Sequence, residues 1–534
     1  MGPSIIHLPD GQNFTVTPVF AGLFFKSHEL NTHANAFPIG WTVVLHTEDG
    51  GGDDYGTALA ANELAGPVDR PEAKASRKPH IHSFTKPTLQ SDNLFISSIS
   101  SPSSGDFKPA ASPTRQIAMM LWITLYWYFH QPAPSTLLTP TETSRLTPEG
   151  GRPRGEWRIN IKRDGVLRGR NLIAKLERMG LIASLDSAVG TSLDDNGVGW
   201  TEMYVSRKVF WQVPGRLFLF TPLQPASRSS PSSPGSSRPG SPVLQLKHES
   251  PHPRSNSHGA SGTPHSSLNA LNADLPGSPP PQTLLTAPSF PIGPFFSSSH
   301  LPTYYPPPPL QYTISNGIRH PVRPKPPRMG EIFYTRFVPS VGQYLSFRVA
   351  SSSPRPVPYL GPVGPNPPAA AHLSMLSDTS LLQMWLSNPR VSAFWGSYVP
   401  DFLTSALQSR HSFPVIGMWD GAPFGYFEIY WVKEDVLGRH IGSDADDFDR
   451  GVHVLIGEDW ARGRVQTWLT SLVHWEFTAD YRTMSVCVEP RVDNARFIQH
   501  LQFAGFSKVK EIAFPHKQAW FGRLRRDCWE GPAL

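Results

Sequence analysis

Cysteine is nearly missing from this chain: 534 residues carry only two, Cys487 and Cys528. A secreted chain of that size more often holds a larger even set, so a disulfide framework is excluded and a reduced, intracellular setting is expected. Charge of one sign is also scarce. The formal net charge is +6, small for the length, which argues against a nucleic-acid surface and leaves phosphate-bearing small ligands open. Long apolar runs are lacking as well. The greasiest, IAMMLWITLYWYF from Ile117 to Phe129, falls short of the roughly 20 residues of a membrane span. It reads as a buried element of a globular domain, so no membrane partner is expected. The opening MGPSIIHLPDGQNF has no basic stretch before an apolar core, and no secretory signal is expected. The closing GPAL does not match the usual peroxisomal tripeptide. The expected location is cytoplasmic, with the peroxisome left open.

What the chain has in excess is proline, 57 residues, unevenly placed. From about Gln224 to Pro327 it runs through SRSSPSSPGSSRPGSP, LPGSPPPQ, YYPPPPLQY and HPVRPKPPR. Such a composition buries too little apolar surface to offset chain entropy, so a disordered or polyproline-like linker is expected over 223–329. PPPP and PKPP also suit aromatic-lined grooves. A single core rarely grows past about 250 to 300 residues, and the linker divides the chain into a first lobe, 1–222, and a second, 330–534.

The first lobe opens with strand-like FTVTPVF and GWTVVLH, then a polar insertion from about Glu48 to Pro113 expected to be largely loop. Further on, Leu172, Ile173, Leu176, Met179 and Leu181 fall at helical spacing, a stripe suited to packing or to a homodimer contact. The basic RDGVLRGRNL before it offers an anion a helix entry, but no histidine and carboxylate partners accompany it as they do in the second lobe. In the second lobe GEIFYTRFVPS and QYLSFRVAS alternate like hairpin strands, and SDTSLLQMWLSNPRVSAFWGSY reads as a helix capped at Ser377 or Asp378 and stopped by Pro389. Strands and helices then alternate to the end, an α/β layer with a mixed sheet.

Asp420 and Gly421 between two apolar runs signal a hairpin. Along its second strand Phe427, Ile429 and Trp431 share one face, and Tyr426, Glu428 and Tyr430 the other. A carboxylate in so aromatic a strand is costly unless it is hydrogen-bonded or reaches a cleft. His453 lies on the next strand in VHVLIG. A lone strand histidine is often just a satisfied core residue, but a basic loop with Arg462, Gly463 and Arg464 follows, then a helix, and helix-terminal amides with guanidiniums suit a pyrophosphate. Taken alone, such a loop is equally an exposed turn. TMSVCVEP ends in Glu489 and Pro490, and the proline interrupts pairing there. Strands that splay leave a slot, with His453 and Glu489 near it. No metal-ligand cluster is read from the sequence.

In this order, strand, basic glycine loop, helix, strand, EPxxxN and a helix ending in GF resemble the second half of a GNAT-fold acyltransferase. More narrowly, GYFEIYW, DRGVHVLIGE, VEPRVDNARF, GFSKVKEIAFPHKQAWF and RLRRD resemble the siderophore acyltransferases, including the fungal N5-hydroxyornithine acyltransferases, over roughly Ser377 to Asp527. The resemblance implies a GNAT fold in the second lobe, a diverged GNAT-like copy in the first, and acyl transfer from acyl-CoA, acetyl-CoA or bulkier, to the hydroxylated side-chain nitrogen of N5-hydroxyornithine or N6-hydroxylysine. It puts the family's histidine at His453 and its acidic residue at Glu489. With it go a pantetheine strand at Val454, Leu455, Ile456 and Gly457, a phosphate loop at Arg462, Gly463 and Arg464, and an acceptor pocket at Glu428, Tyr430, Trp431, Asp493 and Asn494. His453 is expected to take the nucleophile's proton near its ordinary pKa. The partner is then a small hydroxylated amino acid. An aminoglycoside-type acetyltransferase and a non-catalytic proline-rich adaptor are the competing readings.

Overall fold

The computed structural model describes residues 2–28, 40–49, 80–100, 113–138, 140–169, 172–184, 202–219 and 310–534. In the amino-terminal half the strands are β1 (Ser4–His7), β2 (Asn13–Val19), β3 (Gly22–Ser27), β4 (Gly40–Asp49), β5 (His80–Ser83), β6 (Asp92–Ser100), β7 (Arg158–Ile161), β8 (Ala183–Ser184) and β9 (Met203–Ser206). They form one sheet in the order β1-β2-β3-β4-β6-β7-β9-β8, with β5 paired to β4. The helices are α1 (Pro113–Phe129), α2 (Leu172–Arg178) and α3 (Arg207–Gln212). Every residue of α1 from Ile117 to Phe129 is buried, as suits a helix apolar on all sides. Its Thr124 is satisfied by the Met120 carbonyl and the Trp41 indole. The stripe of Leu172, Ile173, Leu176, Met179 and Leu181 is buried within the chain.

Of the insertion expected to be largely loop, residues 50–79 and 101–112 lie outside the described residues, and the part between holds β5 and the central strand β6. NLFISSIS does alternate, with Leu94 and Ile96 buried, but its polar surroundings hide the pattern.

The carboxy-terminal half adds a hairpin of β10 (Tyr312–Ser315) and β11 (Ile318–Pro321). A second sheet comprises β12 (Ile332–Val338), β13 (Gln343–Val349), β14 (Ser412–Trp419), β15 (Ala422–Trp431), β16 (Arg450–Ile456), β17 (Ser485–Val488), β18 (Ser507–Phe514) and β19 (Lys517–Arg525). Its order is β12-β13-β14-β15-β16-β17-β19-β18. The helices are α4 (Asp378–Leu386), α5 (Pro389–Trp395), α6 (Phe402–Gln408), α7 (Val436–Ile441), α8 (Val465–Ala479) and α9 (Ala495–Phe503). None of the described helices is long and apolar enough to cross a membrane.

The two sheets repeat one topology. Each is antiparallel except for one short parallel step, Asn93↔Asn160 and Leu94↔Ile161 in the first, Arg450↔Val486 and Gly451↔Cys487 in the second. In each, a helix links the two parallel strands and a shorter one follows the second of them. The two halves thus share this order of strands and helices. Beyond the second parallel strand the two sheets diverge. After β7, the turn at Gly165 folds back against the Ile96 carbonyl with Leu167 buried, filling the space beside β6. After β17, Pro490 and Val492 instead bond to Trp520 and Gln518, so the chain runs along β19 and the slot beside β16 stays open.

The end of the proposed linker is also corrected. Residues 223–309 lie outside the described residues, but 310–329 are folded. Asn316 and Gly317, at φ of 51° and 79°, make the tight β10–β11 turn, and an Asn-Gly pair is a strong hairpin signal that the prolines around it mask. Arg323 then grips both Glu434 oxygens at 2.7 and 2.6 Å and lies over Trp431. The two halves meet directly. Tyr344 donates to the Leu8 carbonyl, Gln212 to that of Arg526, and Trp211 packs edge-on against His474.

Candidate functional site

The β15–β16 pairing sets Glu428 directly opposite His453, on one face of the sheet as their alternation requires. His453 and Glu489 each lie two residues beyond the last parallel pair of β16 and β17, where the strands begin to part. Their side chains close the gap. His453 Nε2 lies 2.7 Å from Glu489 Oε1, and Nδ1 lies 3.0 Å from Glu428 Oε2. The remaining carboxylate oxygens are held as well: Tyr430 donates to Glu489 at 2.7 Å and Tyr426 to Glu428 at 2.8 Å. Gly451 makes this possible, since a Cβ there would strike the Tyr430 ring at 2.2 Å. The ring stacks near His453, 4.6 Å between centroids. Lys517 Nζ donates to the Glu489 carbonyl at 2.7 Å and stands 3.7 Å from its carboxylate. His453 keeps 31% of its side chain open, Glu428 23% and Glu489 4%, so a small molecule can reach the trio.

Burial alone would favour a neutral imidazole, but the two carboxylates outweigh it and push His453 up to about 10. The same pairing holds Glu489 down at about 2 and Glu428 below its ordinary value, in each case against burial. Tyr426 and Tyr430 are pushed up by burial and by the carboxylates they bond. The expectation of a histidine working near its ordinary pKa is therefore corrected. Both ring nitrogens are engaged, and the resting trio is carboxylate, imidazolium, carboxylate, with net charge −1.

Beside the trio, beginning at Val454, a cleft runs along the edge of β16. Val454, Leu455 and Ile456 line it, with Val391, Phe394 and Trp395 of α5, Val465 and Trp468 of α8, and Asn494, Arg496, Phe497 and His500 at α9. The Gly457 amide already bonds the Phe424 carbonyl. Backbone groups alternate sides along a strand, so those of Val454 and Ile456 face the cleft. Trp395 bonds the first carbonyl at 3.0 Å and Arg462 the second at 3.3 Å. Arg390 and Arg462 share the Asp459 carboxylate at the far end.

Of the other residues singled out from the sequence, Gly463 faces open space, since a Cβ added there would meet nothing within 4 Å among the described residues. Arg464 points elsewhere, to Gln343 and over Trp419. Trp431 lies on the opposite face of β15, under Arg450 and Arg323, because odd and even positions of a strand face apart. Asp493 pairs with Arg491 at the surface, and Asn494 belongs to the cleft rather than the trio. Sequence reasoning missed Tyr426, Lys517 and all of α5. For α5 a signal existed: Asn388 caps it and Pro389 is its first residue, the usual place for proline at a helix start.

The acetyltransferase (GNAT) domain family matches residues 374–514. The N5-hydroxyornithine acetylase sidL of Beauveria bassiana (strain ARSEF 2860) is 54% identical, over 97% of this chain and 100% of that protein. The N(6)-hydroxylysine O-acetyltransferase of Escherichia coli is 38% identical, over 39% of this chain and 60% of the bacterial one. A second Beauveria bassiana protein, the N(5)-hydroxyornithine:cis-anhydromevalonyl coenzyme A-N(5)-transacylase SIDF, is 35% identical over 39% of this chain and 42% of its own.

Proposed function

This chain belongs to the family of hydroxyornithine acyltransferases built on the GNAT fold, and on that premise we propose that it transfers an acyl group from acyl-CoA to the hydroxylated nitrogen of N5-hydroxyornithine. The product is a hydroxamate of the kind that siderophores use to bind iron. The observation that carries the reading is His453 clamped through both ring nitrogens, next in the chain to the Val454 end of an open, arginine-rimmed cleft.

A hydroxylamine nitrogen is less basic than an amine, so at neutral pH it is already unprotonated and needs placement more than activation. It attacks the thioester carbonyl carbon, a C–N bond forms and the C–S bond breaks. The nitrogen's proton passes to the trio, whose net charge of −1 accepts it, and the departing CoA thiolate takes a proton back. His453, the most open of the three, is the member that faces the acceptor, and the proton is shared with Glu428 and Glu489 through the 3.0 and 2.7 Å contacts. Glu428 and Tyr426 face the acceptor's ammonium end. In the cleft, backbone N–H groups of Val454 and Ile456 hold pantetheine and polarise the carbonyl, while Arg390, Arg462 and Arg496 take the phosphates.

CoA release measured with N5-hydroxyornithine, ornithine, an aminoglycoside and no acceptor tests this. Release is expected only with the hydroxylated acceptor. An equal rate with ornithine or the aminoglycoside would overturn it.

A further inference from the structure

One side chain touches both the trio and the cleft. Trp395 closes α5, and its indole N–H donates to the Val454 carbonyl at 3.0 Å, which ties the ring to the edge of β16. It meets Tyr426 edge-on with 5.8 Å between centroids and His453 with 6.4 Å. Those are distances of direct aromatic contact, so no carbon chain passes between them. Phe402 backs the ring at 6.4 Å. Held at its N–H and by two aromatic neighbours besides His453, the indole cannot swing aside without breaking several contacts at once.

A thioester presented to a nucleophile at His453 must bring its carbonyl carbon past Val454, alongside this ring. An acetyl group ends one carbon further on. A branched chain needs further room beside His453, where the indole already stands in contact. We propose that Trp395 sets the upper size of the acyl group, so that the donor is acetyl-CoA and branched five- or six-carbon acyl-CoAs are rejected by collision. This rests on reading the cleft as an acyl-CoA site.

The test compares kcat/KM for acetyl-CoA and isovaleryl-CoA, with N5-hydroxyornithine as acceptor, in the full chain and in Trp395→Leu and Trp395→Phe. The unaltered protein is expected to favour acetyl by about tenfold to a hundredfold. Trp395→Leu should cut that ratio about tenfold, and Trp395→Phe, which keeps a smaller aromatic ring and loses the N–H, should fall between Leu and the unaltered protein. Equal kcat/KM for the two donors in the unaltered protein overturns the proposal whether or not the variants fold. So does a folded Leu variant with an unchanged ratio. CoA release from neither donor would overturn the acyl-CoA reading itself, an outcome distinct from loss of the size limit.

Discussion

His453 sits between two carboxylates, and its charge therefore answers to pH unlike that of a free imidazole. The carboxylates' contribution is present above their unfolded value of 4.5 and is lost as pH falls through the depressed folded values, about 2 for Glu489. That of His453 is complete below 6.5 and is lost as pH rises through about 10. Between those limits the trio keeps one charge state, so His453 should add no break to kcat/KM near pH 6.5 beyond that of the acceptor's own hydroxylamine. A break there that vanished in His453→Ala would mean a neutral imidazole at work. His453→Ala should lower kcat by about 10² to 10⁴ with acyl-CoA affinity nearly unchanged, read by calorimetry beside single-turnover rates. Glu476 of α8 is the opposite case. It is wholly buried, neither carboxylate oxygen has a hydrogen-bond partner among the described residues, and burial pushes it to about 8 with Arg450 only partly offsetting this. A raised acid loses stability for the fold as pH climbs from 4.5 toward 8. Glu476→Gln is therefore expected to gain in Tm over the unaltered protein across that window, and equal Tm values at pH 5 and pH 8 would contradict it.

At the scale of elements, the loop before α8 divides its arginines. Arg462 lines the cleft and Arg464 does not. Arg462→Ala should raise the acyl-CoA Kd and flatten its salt dependence, and Arg464→Ala should leave both near their starting values. Calorimetry at two ionic strengths separates them, and equal effects would return both to the phosphate site. This is also where the reach of the sequence is seen. The Asp420-Gly421 turn, the alternation that puts Glu428 on a face of its own, and the helix from Val465 were readable because local pattern determines them. Trp431 was misplaced against its own alternation. The double grip on His453 depends on a splay between strands far apart in sequence, and the Arg464 orientation on a glutamine of β13. No local pattern carries those.

At the scale of the whole molecule, the proline-rich stretch ends in folded structure. Deleting residues 224–305 should leave activity toward hydroxyornithine largely intact, since linker length carries little free energy. Extending the deletion through residue 325 removes β10, β11 and the Arg323 grip on Glu434, and should lower both Tm and activity. Activity equal in the two deletions would mean that the grip contributes nothing. The paired sheets carry a further consequence. By register, the places of Glu428, His453 and Glu489 in the amino-terminal copy hold Val43, Ile96 and Arg163, and the Gly165 turn occupies the space where the cleft would run. The amino-terminal sheet thus has neither the histidine nor the two acids at these positions. Titrated with CoA, each chain should saturate along a simple hyperbola at one equivalent, with a Hill coefficient of about one, because a lone binding event has no second event within the chain to influence.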